Sequence, residues 1–171
     1  MVRAQYQASL VTLLILGASA WAISPVPRKS PEFVITEPSG KQMLLSSLKG
    51  KVVLIEFLMT NCPHCARASA TIGKLHLELG SRGFEPIGIA FQPGLTPRMV
   101  TDFVGQFRIG YPVGYSSPKE VDSYLGRSVM ERLMVPQIVV IDRQGVIRAQ
   151  NDRNLEDENY LRALVEKLLR E

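Results

Sequence analysis

Hydrophobic residues fill the chain from Val52 to Leu58, and only Glu56 interrupts them. A near-continuous run of this kind predicts a central strand covered on both faces, because a half-exposed strand would alternate. Directly afterwards the apolar positions space out by three and four. Ala68, Ile72, Leu75 and Leu79 form one stripe of a helix that Pro63 can open and Gly83 can cap. Phe84–Phe91 returns to a strand pattern. Thr96 then suits the cap of a helix starting at Pro97, with Val100, Phe103, Val104 and Phe107 inward. Tyr111–Tyr115 reads as a short strand, and Ser117-Pro118-Lys119-Glu120 as a capping box for a helix stopping near Gly126. Gln137–Ile141 and Val146–Ala149 surround Asp142-Arg143-Gln144-Gly145, a hairpin pattern. A last helix begins near Asn154, acidic in its first turn, with Leu161, Leu164, Val165, Leu168 and Leu169 as its core face. Upstream, Phe33–Thr36 and Gln42–Leu45 flank Pro38-Ser39-Gly40-Lys41 as a small hairpin, followed by a turn at Ser46–Gly50. The order predicts an α/β fold: one central mixed β-sheet, helices on both faces, and an N-terminal β-hairpin extension.

Residues 33–171 are enough for one domain with its own core. Before them, Ser24–Pro31 holds three prolines and reads as a Pro-rich linker over 24–32. Residues 1–23 carry Arg3 and then a charge-free stretch with Leu10-Val11-Thr12-Leu13-Leu14-Ile15-Leu16. That pattern suits a signal peptide, with small-x-small sites at Ala18-Ser19-Ala20 and Ala20-Trp21-Ala22, or a retained membrane anchor. Both readings put the folded part outside the cytoplasm, in the periplasm or its equivalent. The formal charge of +4 says little, since 17 basic and 15 acidic side chains remain from Phe33 onward. No basic run interleaves with aromatics, so no nucleic-acid partner is expected.

Both cysteines fall in one motif, Cys62-Pro63-His64-Cys65, at the start of the first long helix. Unpaired N–H groups and the helix dipole favour a thiolate at Cys62. Cys65 lies one turn later, close enough to close a disulfide. The expected chemistry is attack by Cys62 on a disulfide and resolution of the mixed disulfide by Cys65. Pro63 supplies no N–H at the first helical position, and a charged His64 would add to thiolate stabilisation, so both are expected to tune the redox balance. A structural bridge across two residues would constrain little. A metal site fits poorly: the only other histidine, His76, lies eleven residues beyond Cys65, about 16 Å along the helix axis. No metal and no cofactor beyond a Cys62–Cys65 disulfide are expected. Glu56 is costly inside its apolar run unless it has a partner or a task; an edge position or an ion pair would be the structural alternative.

The run Val52–Leu58, the Cys62–Cys65 motif, Val135-Pro136 and the terminal hairpin-plus-helix resemble thioredoxin-fold proteins over residues 33–171. The leader and inserted helix make the chain most similar to the TlpA/ResA-like exported branch. That resemblance implies a thioredoxin-like fold and dithiol–disulfide exchange with protein thiols and an upstream redox partner. It implies that Pro136 is a cis-proline facing the cysteines, with Val135 offering backbone groups to a substrate. It also places Glu56 as a buried acid beneath Cys65, where burial raises its pKa and lets it exchange a proton with that thiol. Asn61 stands where many relatives have tryptophan. Pro-His between the cysteines, with Val135 before Pro136, resembles disulfide-introducing DsbA-type enzymes, whereas the TlpA/ResA-like branch mostly reduces; both directions of electron flow stay open. The rival functions are a copper carrier using the cysteine pair, a peroxiredoxin-type peroxide reductase and a non-catalytic interaction domain.

Overall fold

The computed structural model describes residues 25–127, 133–150 and 152–171. The expected leader over 1–23 lies outside these residues. Among the described residues eight strands form a single mixed sheet: β1 Arg28–Lys29, β2 Val34–Thr36, β3 Gln42–Leu44, β4 Val52–Leu58, β5 Phe84–Ala90, β6 Val113–Tyr115, β7 Gln137–Ile141 and β8 Val146–Gln150. Their spatial order is β1-β8-β7-β4-β5-β6-β2-β3. β4 runs parallel to β5 and antiparallel to β7, which places it in the middle of the sheet. Among the described residues four α-helices join them, α1 Pro63–Leu79, α2 Pro97–Phe107, α3 Pro118–Leu125 and α4 Glu158–Arg170.

All seven residues of β4 are buried, as its apolar run predicts. Their period-2 alternation sorts them between two cores. Val52, Leu54 and Leu58 face a layer made by α1, α2 and α4, including Leu75, Phe103 and Val165. Val53, Ile55 and Phe57 face the opposite layer, formed by α3 and the N-terminal hairpin through Phe33, Ile35, Val121 and Tyr124. Glu56 has the parity of Leu54 and Leu58 and so points to the side of α1. Helices cover both faces, as expected for this α/β pattern.

Four local expectations change. Residues 28–30 are not free linker: Arg28 and Lys29 pair with Ile147 and Val146, and the Ser30 N–H donates to Gly145 O at 2.9 Å. Pro27 and Pro31 lie outside the paired residues, so neither removes a ladder hydrogen bond. α1 ends at Gly80, and Gly83, at φ +99°, instead closes a 3-10 turn over Gly80–Arg82. Phe107, expected inward, is 38% exposed at the end of α2. Near Asn154 the chain makes a 3-10 turn over Arg153–Glu156, and α4 begins only after Asp157, whose side chain accepts the Tyr160 N–H. The capping box at Ser117 and Glu120 and the left-handed stop at Gly126 form as the sequence predicts.

Candidate active site

β4 ends at Leu58, and four residues later Cys62 is the N-cap of α1 with Pro63 at the first turn. The C-terminal edge of parallel strands is where open α/β sheets place their sites. The connecting loop is held by Gln92: its Oε1 accepts the Thr60 N–H at 2.8 Å and the Thr60 hydroxyl at 3.2 Å. The Cys62 N–H donates to Met59 O at 3.1 Å.

Cys62 and Cys65 are both free thiols, Cys62 partly exposed and Cys65 buried. The Cys65 N–H donates to Cys62 Sγ at 3.1 Å, so the sulfur occupies the position of an N-cap oxygen and receives one of the helix's orphan donors. Burial pushes the Cys65 thiol well above its usual range, and the bond with Cys62 adds to the rise. The two cysteines therefore differ: one is accessible and solvated by a backbone donor, and the other is shielded and held protonated.

Val135-Pro136 is cis, Pro136 is buried, and the Val135 carbonyl lies 4.0 Å from Cys62 Sγ. The two elements linked by the resemblance thus meet, although 73 residues separate Cys62 from Val135. Pro63 and His64 are exposed. The Arg67 guanidinium lies 2.8 Å from His64 Nδ1, and because a guanidinium can only donate, Nδ1 is the acceptor in this pose. Arg67 is a permanent cation beside the motif. His76 contacts Gly110 O at 3.1 Å, away from the cysteines. An open groove of about 500 Å³ runs along one side of Cys62, between Pro63, Ala66 and Ala70 of α1 and Gln106 and Phe107 of α2.

Glu56 is fully buried on the α1 side of the sheet. Its Oε2 accepts the Tyr111 hydroxyl at 2.6 Å and the Ser69 hydroxyl at 2.8 Å, whereas Oε1 is buried with no partner among the described residues. Desolvation raises its pKa to about 7; the Tyr111 and Ser69 hydrogen bonds oppose that rise, and Glu156 adds to it. Its charge also raises the Cys65 thiol, so the two buried groups interact electrostatically. Neither an edge position nor an ion pair accounts for Glu56, since the strand is central and its partners are neutral hydroxyls.

Ser69 and Tyr111 were not legible as site residues. Ser69 follows Cys65 by one helical turn and shares its face, so a polar residue within α1's buried stripe was the available signal. Tyr111 precedes β6, and only the tertiary fold brings it to β4: Pro112 O accepts the Gly88 N–H at 2.9 Å, which fixes that loop against β5.

The family model described as Redoxin matches residues 25–164. The chain is 27% identical over 125 residues to thiol-disulfide oxidoreductase ResA of Bacillus thuringiensis, covering 73% of this chain and 68% of that protein. It is 34% identical over 117 residues to thiol-disulfide oxidoreductase ResA of Halalkalibacterium halodurans, covering 67% of this chain and 61% of that one. Among solved structures it is similar to a thiol:disulfide interchange protein of the thioredoxin family from Chlorobium tepidum. That similarity has a TM-score of 0.70 at 26% identity and covers 84% of this chain and 97% of the other.

Proposed function

The chain belongs to the Redoxin family as a thioredoxin-fold thiol–disulfide oxidoreductase of the TlpA/ResA-like kind, and from that premise we propose that it exchanges dithiol for disulfide with exported protein substrates through Cys62 and Cys65. One observation carries this reading: a partly exposed Cys62 caps α1 and accepts the N–H of a buried Cys65, with a buried carboxyl group behind them.

Cys62 is the nucleophile. Its thiolate attacks one sulfur of a substrate disulfide, and the other substrate sulfur leaves as a thiolate. Substrate backbone reaches the Val135 carbonyl, and side chains flanking the attacked sulfur lie in the groove ending at Phe107. Cys65 resolves. It must lose a proton first, which burial opposes, and Glu56 in its ionised form accepts that proton. The redox-active Cys62–Cys65 disulfide is the only cofactor, and an upstream thiol partner restores the dithiol. The same steps run backwards when the pair delivers a disulfide. The leader over 1–23 exports the domain, as a signal peptide or as an anchor.

The test uses rapid mixing with a model peptide disulfide. Glu56→Gln keeps the shape and removes the base, so decay of the mixed disulfide should slow by about a hundredfold or more while the first attack by Cys62 changes little, the usual range for a general base. Equal decay rates in wild type and variant would remove Glu56 from the mechanism. Equilibration of the pair against glutathione buffers then reads the direction of flow. A strongly oxidising value marks a disulfide donor, and a strongly reducing one marks a reductase.

A further inference from the structure

Two buried carboxylates in this fold are treated differently. Asp142 is satisfied on both oxygens: Oδ1 accepts the Gln144 and Val146 N–H groups at 3.0 and 2.9 Å, and Oδ2 accepts Arg148 at 3.0 Å. That is how a structural carboxylate is accommodated, since a buried acceptor without a donor is costly. Glu56 receives two donors as well, but both go to Oε2, and Oε1 is left buried without a partner among the described residues. The two donors come from different parts of the chain, Ser69 from α1 and Tyr111 from the loop ahead of β6. Tyr111 is itself buried, and burial together with the neighbouring Glu56 charge pushes its hydroxyl well above the usual phenol range. It therefore stays a donor across the working pH range.

We propose that Tyr111 and Ser69 are positioning residues for the resolving step, which by occupying Oε2 of Glu56 leave Oε1 as the one carboxylate oxygen open for proton exchange with Cys65. This rests on the reading of Glu56 as the base. In the step itself the Cys65 proton passes to Oε1. The Cys65 sulfur bonds to Cys62 as the Cys62–substrate bond breaks, and the substrate sulfur departs with the electron pair as a thiolate. Glu56 ends protonated on the oxygen that has no other donor, so the acid form creates no clash of hydrogens with the two hydroxyls. The hydroxyls also favour the ionised form, which opposes burial and keeps the base available near neutrality. The titratable groups acting on Glu56 are Cys65 from α1, Tyr111 from its loop and Glu156 from the turn before α4. Its strand neighbours, Gly88 on β5 and Ile138 on β7, do not titrate.

The experiment follows mixed-disulfide decay between pH 5.5 and 9 and, separately, the 13C carboxyl titration of Glu56 in the disulfide form. Wild type should show an inflection near 7 in both. Tyr111→Phe keeps the ring and removes one donor to the carboxylate. Both inflections should move up by about one pH unit, which makes resolution about tenfold slower at pH 6 and nearly normal at pH 9. Ser69→Ala should move them in the same direction, and it keeps the test open if Tyr111→Phe folds poorly. Unshifted inflections in both variants, with Glu56→Gln still slow, overturn the positioning role and leave the base intact. Wild-type decay in Glu56→Gln overturns the base and the positioning role together.

Discussion

At the scale of single residues, Glu56 shows how a buried acid weakens the fold that holds it. Its carboxyl titrates near 7 in the folded chain instead of near the ordinary 4.5. Between those values the folded state keeps a proton that the unfolded chain has released, so stability falls as pH rises through that window. The full loss is about 3 kcal/mol from the size of the shift. Glu56→Gln stays neutral at every pH and should escape this loss. Thermal unfolding of both proteins between pH 4.5 and 8 is expected to show the variant gaining on wild type as pH rises, with its largest lead at pH 8. A constant difference across that range would mean that ionisation at this position costs the fold nothing.

Single elements carry the next layer of constraint, and β6 gives the clearest case. It joins the N-terminal hairpin to the parallel part of the sheet through one register pair, Thr36 with Tyr115. Gly114 sits in its middle. A Cβ there would lie 2.8 Å from Ile35 Cγ2 and 2.8 Å from the Thr36 carbonyl oxygen, and that backbone oxygen cannot give way cheaply. Gly114→Ala should therefore push β2 off the sheet at a cost of about 1–3 kcal/mol. Hydrogen exchange should show the β2 amides losing protection while those of α1 keep theirs. The caps of the helices act at the same scale and were readable in advance, because Thr96 and Ser117 each accept a backbone N–H three residues on, from Met99 and Glu120. Phe107 was not. Helical period assigned it to the core stripe of α2, but α2 ends there and its ring stays at the rim of the groove beside Cys62.

Across the whole molecule, the central sheet separates the candidate site from much of the stability. Cys65, Glu56 and Tyr111 belong to the α1 side, whereas Phe57 packs on the other side against Phe33, Phe91 and Tyr124, with ring centroids 5.8, 6.5 and 5.5 Å away. Phe57→Ala should cost about 3–5 kcal/mol in denaturant unfolding. The equilibrium of the Cys62–Cys65 pair with glutathione should stay at the wild-type value, because Phe57 belongs to the core on the other face of the sheet from the cysteines. A shifted equilibrium would show that the two faces are coupled through β4.

Much of this arrangement follows from the chain read in order. A buried strand must be apolar along its length, so Val52–Leu58 announced β4, and a thiol pair one turn apart at a helix start announced the motif at Cys62 and Cys65. Those are local signals, set by backbone period and by the orphan donors of a helix end. The acid in the apolar run was visible for the same reason, since Glu56 broke a pattern. The surroundings of these residues were decided by tertiary structure. The Val135 carbonyl at Cys62, the paired hydroxyls of Ser69 and Tyr111 on one oxygen of Glu56, and the pairing of Arg28 and Lys29 with β8 each join segments whose contact leaves no periodic mark. A hydroxyl inside a core looks like any other polar residue until the fold shows which buried charge it meets.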